Sequence, residues 1–175
     1  MRTSALALLT LGLVVGAAQA QEYRVTMHQI TAEGIGAPVG TVTIGGSPGG
    51  ATFTTDLQGL PPGPHGFHVH QNGDCGPGPN TQGQMAAGMA AGGHWDPASA
   101  GAHHGPTGDG HLGDLPVLEV ASDGTAEVTL TAPRITDVGQ LQGKALMIHA
   151  GGDNYSDQPQ PLGGGAGRIA CGVIQ

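Results

Sequence analysis

His68 and His70 stand two apart in the stretch HGFHVHQNGDC, residues 65–75. Side chains alternate between the faces of an extended segment, so both imidazoles project to one side while Val69 points to the other. Two imidazoles on one face are a metal-ligand geometry, but a His-x-His pair alone is weak, and the remaining histidines decide. His94, His103, His104 and His111 fall in one segment and His149 lies further on. His94, His103, His111 and Asp114 follow one another at intervals of nine, eight and three. Three nitrogens and one carboxylate oxygen suit a tetrahedral zinc ion. His68, His70 and His149 make an all-imidazole set with no closing ligand, which suits copper, or zinc with an open position. Six histidines and a carboxylate exceed what one four-coordinate ion uses, so two sites are expected. If His94 belonged to both, its ring would be an imidazolate with one nitrogen on each ion.

Short strands must carry these residues. Tyr23–Ile30 alternates, with Tyr23, Val25 and Met27 on one face, and His28 is expected as an exposed strand residue on the other. Val39–Ile44 and Ala51–Leu57 read likewise, and the rigid connection Gly59–Pro64 delivers the chain to the strand bearing His68 and His70. Val117–Ala121 and Thr125–Thr131, joined across Ser122-Asp123-Gly124, read as a hairpin. Lys144–Ala150 puts Met147 and His149 on one face, and Arg168–Ile174 closes the chain. About eight strands with two long excursions predict an all-β domain: an eight-stranded Greek-key β-barrel or immunoglobulin-like sandwich with two functional loops. The first loop, Asn72 to about Pro116, shows no periodicity beyond a short helical turn around Gln84–Ala91 that Gly88 weakens. A loop that long inside a compact domain needs a function or a ligand, and its histidines supply one. Gly151–Gly167 is the second.

Residues 1–20 are read apart from this domain, residues 21–175. After Arg2 an apolar run, Ala5–Ala17, leads to Ala18-Gln19-Ala20, the pattern of a signal peptide cut before Gln21. The run is too short to span a bilayer, and no cysteine near the cut indicates a lipid anchor, so no stable membrane association is expected after cleavage. Export favours a disulfide between Cys75 and Cys171, the only two cysteines. Gly 34 and Pro 13 account for 47 of 175 residues, a proportion often found in disordered chains. The alternating segments argue against disorder here. With 10% charged and 3% aromatic residues, the core must rest on Val, Ile, Leu, Met and Ala, and it gains from a metal and a disulfide. Removing Arg2 leaves four basic against 13 acidic residues, net −9, which argues against nucleic acid or an anionic membrane as partner.

The motifs GFHVHQNGDC, GGHWDP, HHGP, GHLGDLP, APR, LMIHAGGDNYSD, PLGGGAGR and IACGVIQ, in this order and spacing, closely resemble the bacterial exported copper-zinc superoxide dismutases. The resemblance runs from about Tyr23 to Gln175. It implies one copper and one zinc ion per subunit. Copper would be held by His68, His70, His94 and His149, and zinc by His94, His103, His111 and Asp114, with His94 bridging. It further implies that Asp153 hydrogen-bonds ligands of both metals, that Arg168 is the active-site arginine, and that Cys75 and Cys171 form the intrasubunit disulfide. His65 matches a structural histidine bonded to backbone, and His104 a variable position beside a ligand.

The implied activity is disproportionation of superoxide to dioxygen and hydrogen peroxide in the periplasm, with copper cycling between Cu(II) and Cu(I) and His94 supplying a proton. The alternative is a non-catalytic dismutase-like protein that binds or delivers copper and zinc; such a protein would lack the open copper position or the arginine. A blue-copper carrier needs a Met near its Cys ligand, yet only Gly172, Val173, Ile174 and Gln175 follow Cys171. Gly76–Gly93 contains no Lys or Arg, leaving Arg168 and Lys144 as attractive charges, so weak electrostatic steering of the anion is expected. Monomer and homodimer are both left open.

Overall fold

The computed structural model describes residues 21–175, so the segment read as a signal peptide lies outside the described residues. The strands are β1 Glu22–Thr31, β2 Gly34–Ser47, β3 Gly50–Leu57, β4 Gly63–His65, β5 Phe67–His70, β6 Gly78–Pro79, β7 Met85–Ala86, β8 Leu118–Val120, β9 Thr129–Ala132, β10 Ala145–His149 and β11 Arg168–Val173. Seven form one antiparallel sheet in the order β5-β10-β11-β1-β2-β3-β9, while β4 pairs with β8 and β6 with β7. Leu118 and Val120 of β8 share one apolar core with Phe53, Phe67, Leu146 and Ile148, so the sheet curls around that core and the β4–β8 pair helps to close it. Phe53 and Phe67 meet edge to face at the centre, 5.9 Å between centroids.

β1 shows the expected alternation, with Tyr23, Val25 and Met27 buried and Arg24 and Thr26 exposed. β5 and β10 depart from it, because every residue of both is buried. Their inner faces, Phe67 and Val69 with Leu146 and Ile148, belong to the barrel core. Their outer faces carry His68, His70, Met147 and His149, and the long loops cover them. A strand covered on both sides loses the polar half of its pattern. Here that half has become a row of buried imidazoles.

Two expectations need correction. The turn at Ser122-Asp123-Gly124 forms, with Ala121 N donating to Thr125 O at 2.8 Å, but its arms do not make a hairpin. β8 joins β4 and β9 joins β3. Thr55 on β3 captures the chain beyond the turn: its hydroxyl donates to Ala126 O at 2.8 Å and its amide to Val128 O at 2.8 Å. The helical turn in the first loop shrinks to a 3-10 turn at Met89–Ala91, since Gly88 before it sits at φ 65, outside helical space.

The disulfide joins Cys75 in the first loop to Cys171 in β11, 96 residues apart. It caps a small outer cluster of Ile30, Ala91, Ala145 and Met147. Opening a loop of this size costs about 4 to 5 kcal/mol in the chain-entropy account. Cys75→Ser with Cys171→Ser should therefore lower the melting temperature of the metal-free protein by roughly 10 to 20 °C, measured by calorimetry.

Candidate metal centre

β5 sets His68 and His70 opposite Met147 and Ala145 of β10. The β10–β11 register skips Ile169 of β11 between the pairs Ile148–Ala170 and His149–Arg168, so that Arg168 comes opposite His149. Bulges of this kind re-aim a side chain. The loop ligands reach the same place through single bridges, His70 to His94 and His68 to Asp114. Trp95 N donates to Val69 O at 2.8 Å and Val69 N to Gly113 O at 2.9 Å, so two points of the first loop are stitched to β5.

Two groups of four donors result, each with its ligand atoms within 4.8 Å of one another: His68, His70, His94 and His149, and His94, His103, His111 and Asp114; His68, His103 and Asp153 form a third, smaller group. His94 belongs to both groups of four. Asp153 lies between the groups, accepting from His68 Nε2 at 2.7 Å and from His103 Nε2 at 2.7 Å. Those bonds turn the Nδ1 atoms of both rings inward. His70 donates Nδ1–H to Gly92 O at 2.9 Å, which leaves its Nε2 facing His149 Nε2 at 3.3 Å. Among the described residues His68 Nδ1, His94 Nε2 and His111 Nδ1 are buried without a hydrogen-bond partner, while His103 Nδ1 stands 2.9 Å from Asp114 Oδ2. An unsatisfied buried polar atom costs about 1 to 3 kcal/mol, and unpartnered lone pairs converging on one space are what a cation relieves. An all-imidazole set beside three imidazoles and a carboxylate fits copper next to zinc.

Burial dominates the electrostatics. It holds His70 and His149 well below the usual histidine range, with the charges of neighbouring imidazoles and of Arg168 pressing the same way. It also lowers His94 to about 3, with His68 adding to it and the bond to Asp114 opposing it. Burial would raise Asp114 and Asp153, but hydrogen bonds from His103 and from His94 or His68 hold both well below the usual carboxylate range. His103 is pushed up to about 9, because its bonds to Asp114 and Asp153 outweigh its burial.

A cleft of about 460 Å³ opens onto His94 and His149 and is lined by Met89, Gln160, Leu162, Ala166 and Arg168. Among the described residues Arg168 is its one charged lining residue apart from the histidines, and its guanidinium donates to Gly88 O at 2.5 Å and Gly92 O at 2.6 Å. The residues singled out from sequence thus gather here, and the others do not. Both ring nitrogens of His65 are engaged, with His149 O and Pro61 O at 2.7 Å each. His104 pairs with Asp109 at the surface, and His28 lies on β1 opposite Cys171. Asp157 was missed by sequence reasoning. It accepts from His103 N at 2.9 Å and Leu162 N at 3.0 Å, tying the two loops together. The alternation Asp153, Tyr155, Asp157 was the available signal.

Fold and site define a Greek-key β-barrel protein with a buried two-metal histidine centre open to small anions. The profile of the family described as Copper/zinc superoxide dismutase (SODC) matches residues 39–174. The chain belongs to that family. It is 53% identical over 175 residues to Superoxide dismutase [Cu-Zn] 2 of Salmonella typhimurium strain LT2, covering 100% of both chains. Among solved structures it resembles the Cu/Zn superoxide dismutase from Brucella abortus, at 47% identity and TM-score 0.86, over 89% of this chain and 100% of that one. The monomeric copper, zinc superoxide dismutase from Salmonella enterica is 55% identical, with TM-score 0.78 over 89% of this chain and 100% of that one.

Opposite pH effects follow for the metal-free protein. His94, depressed from 6.5 to about 3, contributes stability that is complete above about 6.5 and lost as pH falls toward 3. His103, raised to about 9, contributes stability that is present below about 6.5 and lost as pH rises through 9. A metal taking His103 Nδ1 must displace a proton below that pH, so zinc affinity should rise about tenfold per pH unit up to about 9. Chelator competition measures this, and a flat profile would show that no proton is displaced.

Proposed function

We propose that this protein disproportionates superoxide: two superoxide anions and two protons give one dioxygen and one hydrogen peroxide. The observation that carries this is Arg168, paired with His149 across β10 and β11 at the mouth of the four-histidine group. A protein that only delivered metal would have no use for an anion-binding group there. Copper would be held by His68, His70, His94 and His149, and zinc by His94, His103, His111 and Asp114, one of each per chain. When bound, copper supplies the one-electron chemistry, passing between Cu(II) and Cu(I), whereas zinc has no redox chemistry and orders the loop.

The chain's own residues do the rest. The Arg168 guanidinium keeps its charge despite partial burial, and it offers hydrogen bonds to an anion beside His149. Its bonds to Gly88 O and Gly92 O hold it there without neutralising it. His94 Nε2 has no hydrogen-bond partner among the described residues, so it could hold copper or, in its place, a proton for the peroxide product. Asp153 keeps His68 and His103 in one tautomer and orientation. All of these residues come from one chain. The apolar N-terminus with its Ala18-Gln19-Ala20 pattern supports export to the periplasm.

His149→Ala should abolish copper retention and activity while leaving zinc bound, read by metal analysis with a superoxide-consumption assay. In the same assay Arg168→Ala should keep both metals and lose about 10- to 100-fold in rate, the worth of a charged hydrogen bond. An unchanged rate would remove Arg168 from the site. Because Arg168 is the only Lys or Arg lining the cleft among the described residues, raising ionic strength to about 0.2 M should slow catalysis by less than about threefold. A steep fall would reveal long-range attraction after all.

A further inference from the structure

The ligand rings of the zinc group are not held in the same way. His103 donates from Nε2 to Asp153 and is tied at its backbone by Asp157. His94 is tied by its ring to Asp114 and by its bridge to β5. The ring of His111 has no hydrogen bond among the described residues, and its one approach is to Asp114 Oδ1 within the group at 3.4 Å. Metal-binding histidines usually donate their second ring N–H to a partner that fixes the ring, and His111 lacks one. Its backbone is gripped instead. Arg134, on the connection after β9, donates from Nη1 to His111 O at 3.1 Å and from Nη2 to Gly110 O at 2.8 Å. On the other side His111 N donates to Ala102 O at 2.9 Å.

A guanidinium is a rigid planar fork, so two consecutive carbonyls on its terminal nitrogens fix the peptide plane from which the His111 side chain departs. Arg134 is one of four basic residues after position 20, it is half-buried, and it makes no ion pair among the described residues. It lies away from the cleft lining. We infer that Arg134 is a positioning residue for the zinc group, aiming His111 through its backbone; this rests on the zinc assignment above. Two effects of removing it have opposite sign. Losing a positive charge near a cation would tighten zinc binding, and losing the grip on His111 would weaken it. The geometry points to the grip.

The test compares the full metal-loaded protein with Arg134→Met and Arg134→Lys. Zinc dissociation is measured by chelator competition, Co(II) absorption reports the group's geometry, and copper content and metal-free melting serve as controls. Arg134→Met should weaken zinc by about 10- to 100-fold and change the Co(II) bands, while copper and metal-free melting stay at parent values. Arg134→Lys, with charge but no fork, should recover only part. Unchanged or tighter zinc binding in Arg134→Met would overturn the inference, as would an equal loss of copper and metal-free stability, which would assign Arg134 to the fold. His111→Ala separates the two layers: if it leaves zinc affinity unmoved, the zinc assignment itself fails and takes this inference with it.

Discussion

One carboxylate holds the centre together. Asp153 comes from the second loop, His68 from β5 and His103 from the first loop, and all three meet in two hydrogen bonds of 2.7 Å. A buried charge is costly unless it is paired and hydrogen-bonded, and Asp153 stays ionised because two imidazoles and the Tyr155 amide donate to it. The same bonds turn the inner nitrogen of each ring toward the other donors, His68 Nδ1 without a partner and His103 Nδ1 2.9 Å from Asp114 Oδ2. Space around the carboxylate is tight: a Cβ on Gly163, which sits at φ +71, would collide with Asp153 and with His103. The second loop can therefore approach only with glycine at that point.

The barrel makes this tolerable by supplying rigid walls. β5 and β10 bury their inner faces in the apolar core, so the rows of histidine on their outer faces have fixed backbone positions before any metal arrives. Gly92 O accepts from both His70 and Arg168, so one carbonyl orients a copper-group ligand and the anion-docking guanidinium. β11 carries Arg168 toward the cleft and Cys171 toward the disulfide, which pins the loop that bears Gly88 and Gly92. Binding metal, holding the loops and placing the arginine are thus one coupled arrangement, and metal binding is expected to share its free energy with folding.

Much of this was legible in the chain. The faces of β1, β5 and β10 follow from a period of two, which local sterics impose on any strand. The cysteine pair followed from compartment and count, and the family motifs carried the ligand assignment. What failed was the partner of a strand: the turn at Ser122-Asp123-Gly124 reads as a hairpin, but Thr55 on β3 competes for the chain beyond it. Asp157 and Arg134 stand in the motifs LMIHAGGDNYSD and APR, but their roles were not legible, because each acts on a backbone group of another segment and a backbone group carries no letter in the sequence.

The sequence by itself determined the donor types, their intervals, the strand faces that present His68, His70 and His149, and the capacity for two metals rather than one. Only the tertiary structure decided which lone pairs are left free, which groups hold the ring of His65, and where the arginine points. His65 shows the difference: the family motif sets it apart from the ligands, but only the fold supplies the two carbonyls that occupy its ring. The physical reason is that an imidazole's chemistry depends on what its second nitrogen meets and on how much water remains. Both are set by segments far apart in the chain that come together only when the barrel closes.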